Sequence, residues 1–134
     1  MELYKLDEAA LVEDITFALA SLNELAETDD PDHYDFAWGQ LRDTLRRLNE
    51  RLNQGDLAVL DCPLNIRPAL SDLWRWLEEW NGVEKPVFGE EAKQYFARVS
   101  LGATALLHPV LVALGWNEKQ HRRIPPEVDL KLNH

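Results

Sequence analysis

The stretch from Tyr34 to Gly55, YDFAWGQLRDTLRRLNERLNQG, decides the fold. Tyr34, Trp38, Leu41, Leu45, Leu48 and Leu52 step through it at alternating intervals of four and three residues. At 3.6 residues per turn that spacing puts all six on one face of an α-helix. Gly55 is expected to close the helix as the residue just past its end. The seam is shorter than the three to four heptads of a free-standing coiled coil, so the helix is expected to pack inside a bundle.

Immediately upstream, AETDDPDHYDF (Ala26 to Phe36) crowds four aspartates and His33 into the seven residues from Asp29 to Asp35. A calcium loop would need a glycine at its turn and a late bidentate glutamate, and neither is at the required spacing. A transition metal would need two or three His or Cys ligands together, and His33 is the only one nearby. A helix start fits better: Asp30 suits the N-cap, Pro31 the first helical position, and Asp32 and Asp35 the positive end of the helix dipole. Capping occupies only some of these carboxylates, so the rest remain available to a partner.

Helical periodicity governs the remainder. After Asp7 as N-cap, Leu11, Ile15, Ala18, Leu22 and Leu25 share one helix face. From Asp56 to Arg67 the pattern lapses into a connector with a helical turn expected near Leu57 to Leu60, and connectors this long are often functional. A third helix carries Leu70, Leu73, Trp74, Leu77 and Trp80 on one side and stops at Asn81-Gly82; Trp76 falls at the rim of that stripe. A fourth opens at Gly89-Glu90-Glu91, would bury Ala92, Phe96, Val99, Ala103, Leu106 and Val110, kinks or splits at Pro109, and ends at Gly115. The tail, residues 117 to 134, reads as irregular, with Val128, Leu130 and Leu132 alternating as in an extended segment docked on the bundle. The expected fold is all-α: one domain, residues 1 to 134, built as a bundle of four to five helices with a proline-kinked fourth.

The formal net charge is −10 over 134 residues, and its location matters more than its size. Residues 1 to 36 hold eleven acids against the single base Lys5, whereas residues 37 to 134 balance. Such a field repels nucleic acid and anionic membranes and speeds encounter with a basic partner, although acidic surfaces also simply keep proteins soluble. The arginines of LRDTLRRLNERL make no basic stripe, because they flank both sides of the seam and pair with Asp43 and Glu50 at helical spacing. Lys119, His121, Arg122 and Arg123 are the residues that could fold back and screen the acidic quarter.

Two aromatics break their own helical pattern. Phe36 falls almost opposite the seam, beside Asp43 and Glu50. Phe17 leaves the Leu11/Ile15/Leu22 face and sits beside Glu13 and Glu24. Apolar anchors inside a charged rim describe a protein-binding surface; the alternative is that the chain termini cover both rings. The lone Cys62 permits no intrachain disulfide, and no feature sets a base beside it. No glycine-rich phosphate loop or nucleophile elbow occurs. His108, before Pro109 in an apolar run, reads as a core or kink histidine, or as one wall of a pocket inside the bundle. The N-terminal MELYKLDEAA lacks the marks of a secretory signal, and the run Leu101 to Trp116 is short for a membrane span, so a cytoplasmic protein is expected.

These readings predict a non-enzymatic, cofactor- and metal-free binding module. Glu13, Phe17, Glu24, Asp29, Asp30, Asp32, Asp35 and Phe36 are its candidate contacts with a basic protein such as a nuclease or DNA-binding protein, in the manner of an inhibitor, antitoxin or immunity protein. The rival expectations are a structural subunit making contacts through Trp76 and Trp80 or the tail, and a small-ligand pocket lined by His108.

Overall fold

The computed structural model describes residues 3–116. Four helices make the body: α1 (Glu8–Glu27), α2 (Pro31–Arg51), α3 (Arg67–Glu78) and α4 (Glu90–Ala113). Strand β1 (Tyr4–Lys5) pairs in parallel with β2 (Leu60–Asp61), a two-residue bridge too short and too distant in sequence for any local pattern to announce. The readings placed on residues 117 to 134, including the docked tail and the basic fold-back, lie outside the described residues.

The caps follow from the residues predicted for them. Asp7 Oδ1 accepts from the Ala10 N–H at 3.0 Å, and Asp30 Oδ1 from the Asp32 N–H at 3.0 Å, with Pro31 in the first turn of α2. Each satisfies a donor the helix itself leaves unpaired. At the far end of α4, Gly115 (φ 93°) lets Trp116 N–H reach Leu111 O at 2.8 Å and Gly115 N–H reach Val112 O at 3.0 Å. These two bonds are a Schellman closure.

α1 lies between α2 and α4, and α3 closes the bundle chiefly against α4. The α2 seam is buried as read at Tyr34, Leu41, Leu45, Leu48 and Leu52, whereas Trp38 is only half-buried. An aromatic cluster ties the elements together, with ring centroids of Tyr34–Phe88 at 5.2 Å, Tyr34–Phe96 at 6.1 Å, Trp38–Phe96 at 6.2 Å and Trp76–Trp80 at 6.0 Å. Such pairs add about 0.5–1.5 kcal/mol each beyond the area they bury.

Several boundaries and faces differ from the sequence reading. α2 ends at Arg51, before Gly55, because Asn53 (φ 51°) already takes the left-handed conformation, followed by Gln54 (φ 55°) and Gly55 (φ 94°). Asparagine tolerates that region better than most residues. Glycine is still needed at 55: a Cβ there would lie 2.5 Å from the Trp74 ring. On α3 two tryptophans exchange roles, Trp76 being buried and Trp74 only half-buried, since Trp74 turns aside to cover Gly55. On α4 the buried face is Ala92, Phe96, Ser100, Ala103, Leu107, Val110 and Leu111. Ser100 donates to Asn23 of α1, which turns this face inward and leaves Val99 half-buried and Leu106 exposed. Pro109 does not divide the helix, which continues to Ala113.

α4 begins well before the apolar run at Leu101. Its 24 residues, with a most apolar window of mean hydropathy 1.5, are long and apolar enough to cross a membrane, and a third of that window is buried in the bundle. His108 is exposed on α4, its ring 5.4 Å from that of Trp116, rather than in the core.

Candidate protein-binding face between α1 and α2

The antiparallel packing of α1 on α2 is pinned at both ends by polar contacts. At one end the buried Asp14 accepts from Arg51 Nε at 2.7 Å and from Arg47 Nε at 3.4 Å, while Arg47 also reaches Thr44 Oγ1 at 3.1 Å. At the other, Glu24 meets His33 Nε2 at 3.3 Å. Sequence reasoning missed the Asp14 triad. Its signal was an acid at the edge of the apolar arc, beside Leu25 and Ala18, where burial demands a cation from a facing helix.

These contacts orient both misfit aromatics. Phe36 and Arg47 are separated by about three full turns, so they project from nearly the same side of α2, from which the long Arg47 side chain reaches across to Asp14 of α1. Phe17 borders a shallow hollow with Glu13, Asp14, Thr16, Ala20 and Arg47. Phe36 lies outside that hollow, on the neighbouring helix, and Phe17 and Phe36 are 42% and 59% exposed, respectively. The His33 ring stands 6.3 Å from Phe36.

The acidic residues divide by use. Asp30 caps α2. Asp29 pairs with Lys93 of α4 and Asp35 with Lys85, clamping the start of α2 to later parts of the chain. The Asp29 hydrogen bond holds the Lys93 ammonium above its ordinary pKa, assisted by the charges of Asp29 and Glu90 and opposed by desolvation. Beside Asp35, burial raises the Tyr34 phenol above its usual value and the Asp35 charge raises it further; its hydroxyl donates to Pro86 O at 2.6 Å. Lys85 and Lys93 were not foreseen as partners, since no periodicity links positions so far apart in the chain.

Glu13, Glu27 and Asp32 have no side-chain partner among the described residues and are exposed. Glu13, Phe17, Ala20, Glu24 and Glu27 form one exposed face of α1. Glu24 and Glu27 stand in the last turn of that helix, which holds no basic residue, where the helix dipole disfavours negative charge.

Among the described residues, no group of three His, Cys, Asp or Glu converges as a metal site. The lone Cys62 is half-buried. No protein-family model, curated protein or solved structure matches the chain. The described residues form an all-α domain with a shallow hollow beside Phe17, lined by Glu13, Asp14 and Arg47, on one side.

Proposed function

We propose that the chain is a helical protein-binding module whose α1–α2 face docks on a basic surface of another protein. By occluding that surface it would act as an inhibitor, antitoxin or immunity-type protein toward a nucleic-acid-handling partner. The observation that carries this reading is the exposure of Phe17 and Phe36 on two adjacent acidic helix faces. Retention of Glu27, which has no side-chain partner among the described residues, against the dipole of its own helix adds to it, because a charge kept where it costs folding free energy points to use elsewhere. Exposed aromatics within a charged rim supply the anchors, and the carboxylates supply steering and register.

The residues divide into contacts and supports. Glu13, Phe17, Glu24, Asp32 and Phe36 touch the partner, whereas Asp29, Asp30 and Asp35 hold the start of α2 in place. The test is affinity capture from the native host at low and high salt, comparing wild type with Phe17→Ser/Phe36→Ser. A basic protein held at low salt, weakened by high salt and lost in the double variant is the expected result. Capture that is indifferent to both changes refutes the proposal.

A second reading, a structural subunit, is favoured by a different face. From Val99 to Trp116 the sequence has no Asp, Glu, Lys or Arg, and Leu101, Leu106 and Val112 are exposed on α4. Trp76 and Trp80, the anchors first expected for such a role, are buried. Salt-insensitive capture abolished by Leu101→Ser would select this alternative.

A further inference from the structure

A second cleft lies away from the hollow beside Phe17, between α2 and α3. It has a volume of about 560 Å³, open on one side, within the range of small-molecule sites. Leu45, Leu77 and Trp80 contribute its apolar lining. Trp74 lines it as well, half-buried, with its ring lodged over Gly55 in the left-handed turn of Asn53 to Gly55. A rigid indole with part of its surface open is a stacking platform.

The polar groups around this indole are underused. Asn49 donates Nδ2 to Leu45 O at 2.9 Å, which leaves its carbonyl oxygen to accept. Gln54 and Asn81 make no side-chain hydrogen bond among the described residues. Arg46 is 63% exposed and held only loosely, at 3.8 Å from Asp43 and 3.5 Å from Glu50. Arg42 donates one nitrogen to Val83 O at 3.2 Å and lies 5.8 Å from the centroid of Trp38, with further donors to spare. Two guanidiniums face the single lining carboxylate Asp43, so the cleft is locally positive in a chain of net charge −10.

We propose that the α2–α3 cleft binds a small heteroaromatic anion of mononucleotide type. The ring stacks on Trp74, the carboxamides of Asn49, Gln54 and Asn81 read its edge, and Arg46 with Arg42 takes the anionic group. Guanidinium pairs well with phosphate or carboxylate in a fork geometry. Stacking and one anion contact in an open cleft give a dissociation constant on the order of 100 μM. This site is independent of the α1–α2 face, and nothing in it requires a protein partner.

The test uses the full chain, with AMP as probe and with adenosine and ribose 5-phosphate as its phosphate-free and base-free fragments. Binding is read by calorimetry and by the indole N–H resonance of Trp74, assigned by Trp74→Phe. AMP is expected to shift that resonance saturably, and each fragment to bind at least about tenfold more weakly. Arg46→Gln, at an exposed position, is expected to weaken AMP about five- to tenfold while leaving the remaining indole resonances in place. Absence of saturable AMP binding up to about 5 mM, or binding unaffected by Arg46→Gln, overturns the proposal.

Discussion

Replacing Glu27 with lysine separates folding from function. Glu27 is the last residue of α1, it is exposed, and Glu24 lies one turn before it. A unit charge at a helix terminus is worth about 0.3–1 kcal/mol at surface exposure. Glu27→Lys removes an unfavourable interaction with the carbonyl end of α1 and installs a favourable one. It also turns a like-charge neighbour of Glu24 into an opposite one, worth a few tenths of a kcal/mol more. The sum is a stabilisation of about 1 kcal/mol, and for a chain of 134 residues a rise in Tm of about 3–5 °C. Denaturant melts at low ionic strength measure the stability, and repeating them in about 0.5 M salt should shrink the gain. The same variant should bind the basic partner at least about threefold more weakly at low salt, chiefly through a slower association rate. A variant less stable than wild type would show that Glu27 is satisfied by the fold and would refute the argument that it is kept for a partner.

Three further outcomes follow from named contacts. Asp14→Ala strips Arg47 and Arg51 of their shared carboxylate; both arginines are partly exposed and can rehydrate, so the loss is about 2 kcal/mol by urea titration, with Asp14→Asn near half of that. Gly55→Ala puts a methyl group into the Trp74 ring at a left-handed φ and should cost about 2–4 kcal/mol, seen as a lowered Tm and an altered tryptophan emission. Tyr34→Phe removes the bond to Pro86 O and should cost about 1 kcal/mol near neutral pH. The raised Tyr34 pKa means its contribution is complete below the ordinary tyrosine value and is lost as pH rises through the folded one, so the gap to wild type should close above about pH 10. A gap that widens with alkalinity would contradict this sign.

How far the structure was legible depends on the contrast in each segment. α2 alternates leucine with charge so regularly, behind so clear a start at Asp30-Pro31, that its face and N-terminus follow from spacing alone. α4 offers no such contrast: beyond Val99 every side is apolar or small, so Leu106 and Leu107 could not be told apart until Ser100 met Asn23. Trp74 and Trp76 are two residues apart and equally large, and which one enters the core depends on the distant Gly55 turn. The candidate site was half visible. Phe17 and Phe36 declared themselves by breaking their helical wheels, whereas the engagement of Asp29 and Asp35 by Lys93 and Lys85 is tertiary and left no local trace.

The central claim is that the α1–α2 face is where another protein sits, and site-specific photo-crosslinking in the native host tests it directly. A benzophenone side chain would replace Phe36 in one culture and Val87, 89% exposed and outside that face, in another. The account predicts one dominant adduct to a basic protein from position 36, absent from position 87 and diminished by Glu13→Lys. Equal labelling from both positions, or none from position 36, would contradict it.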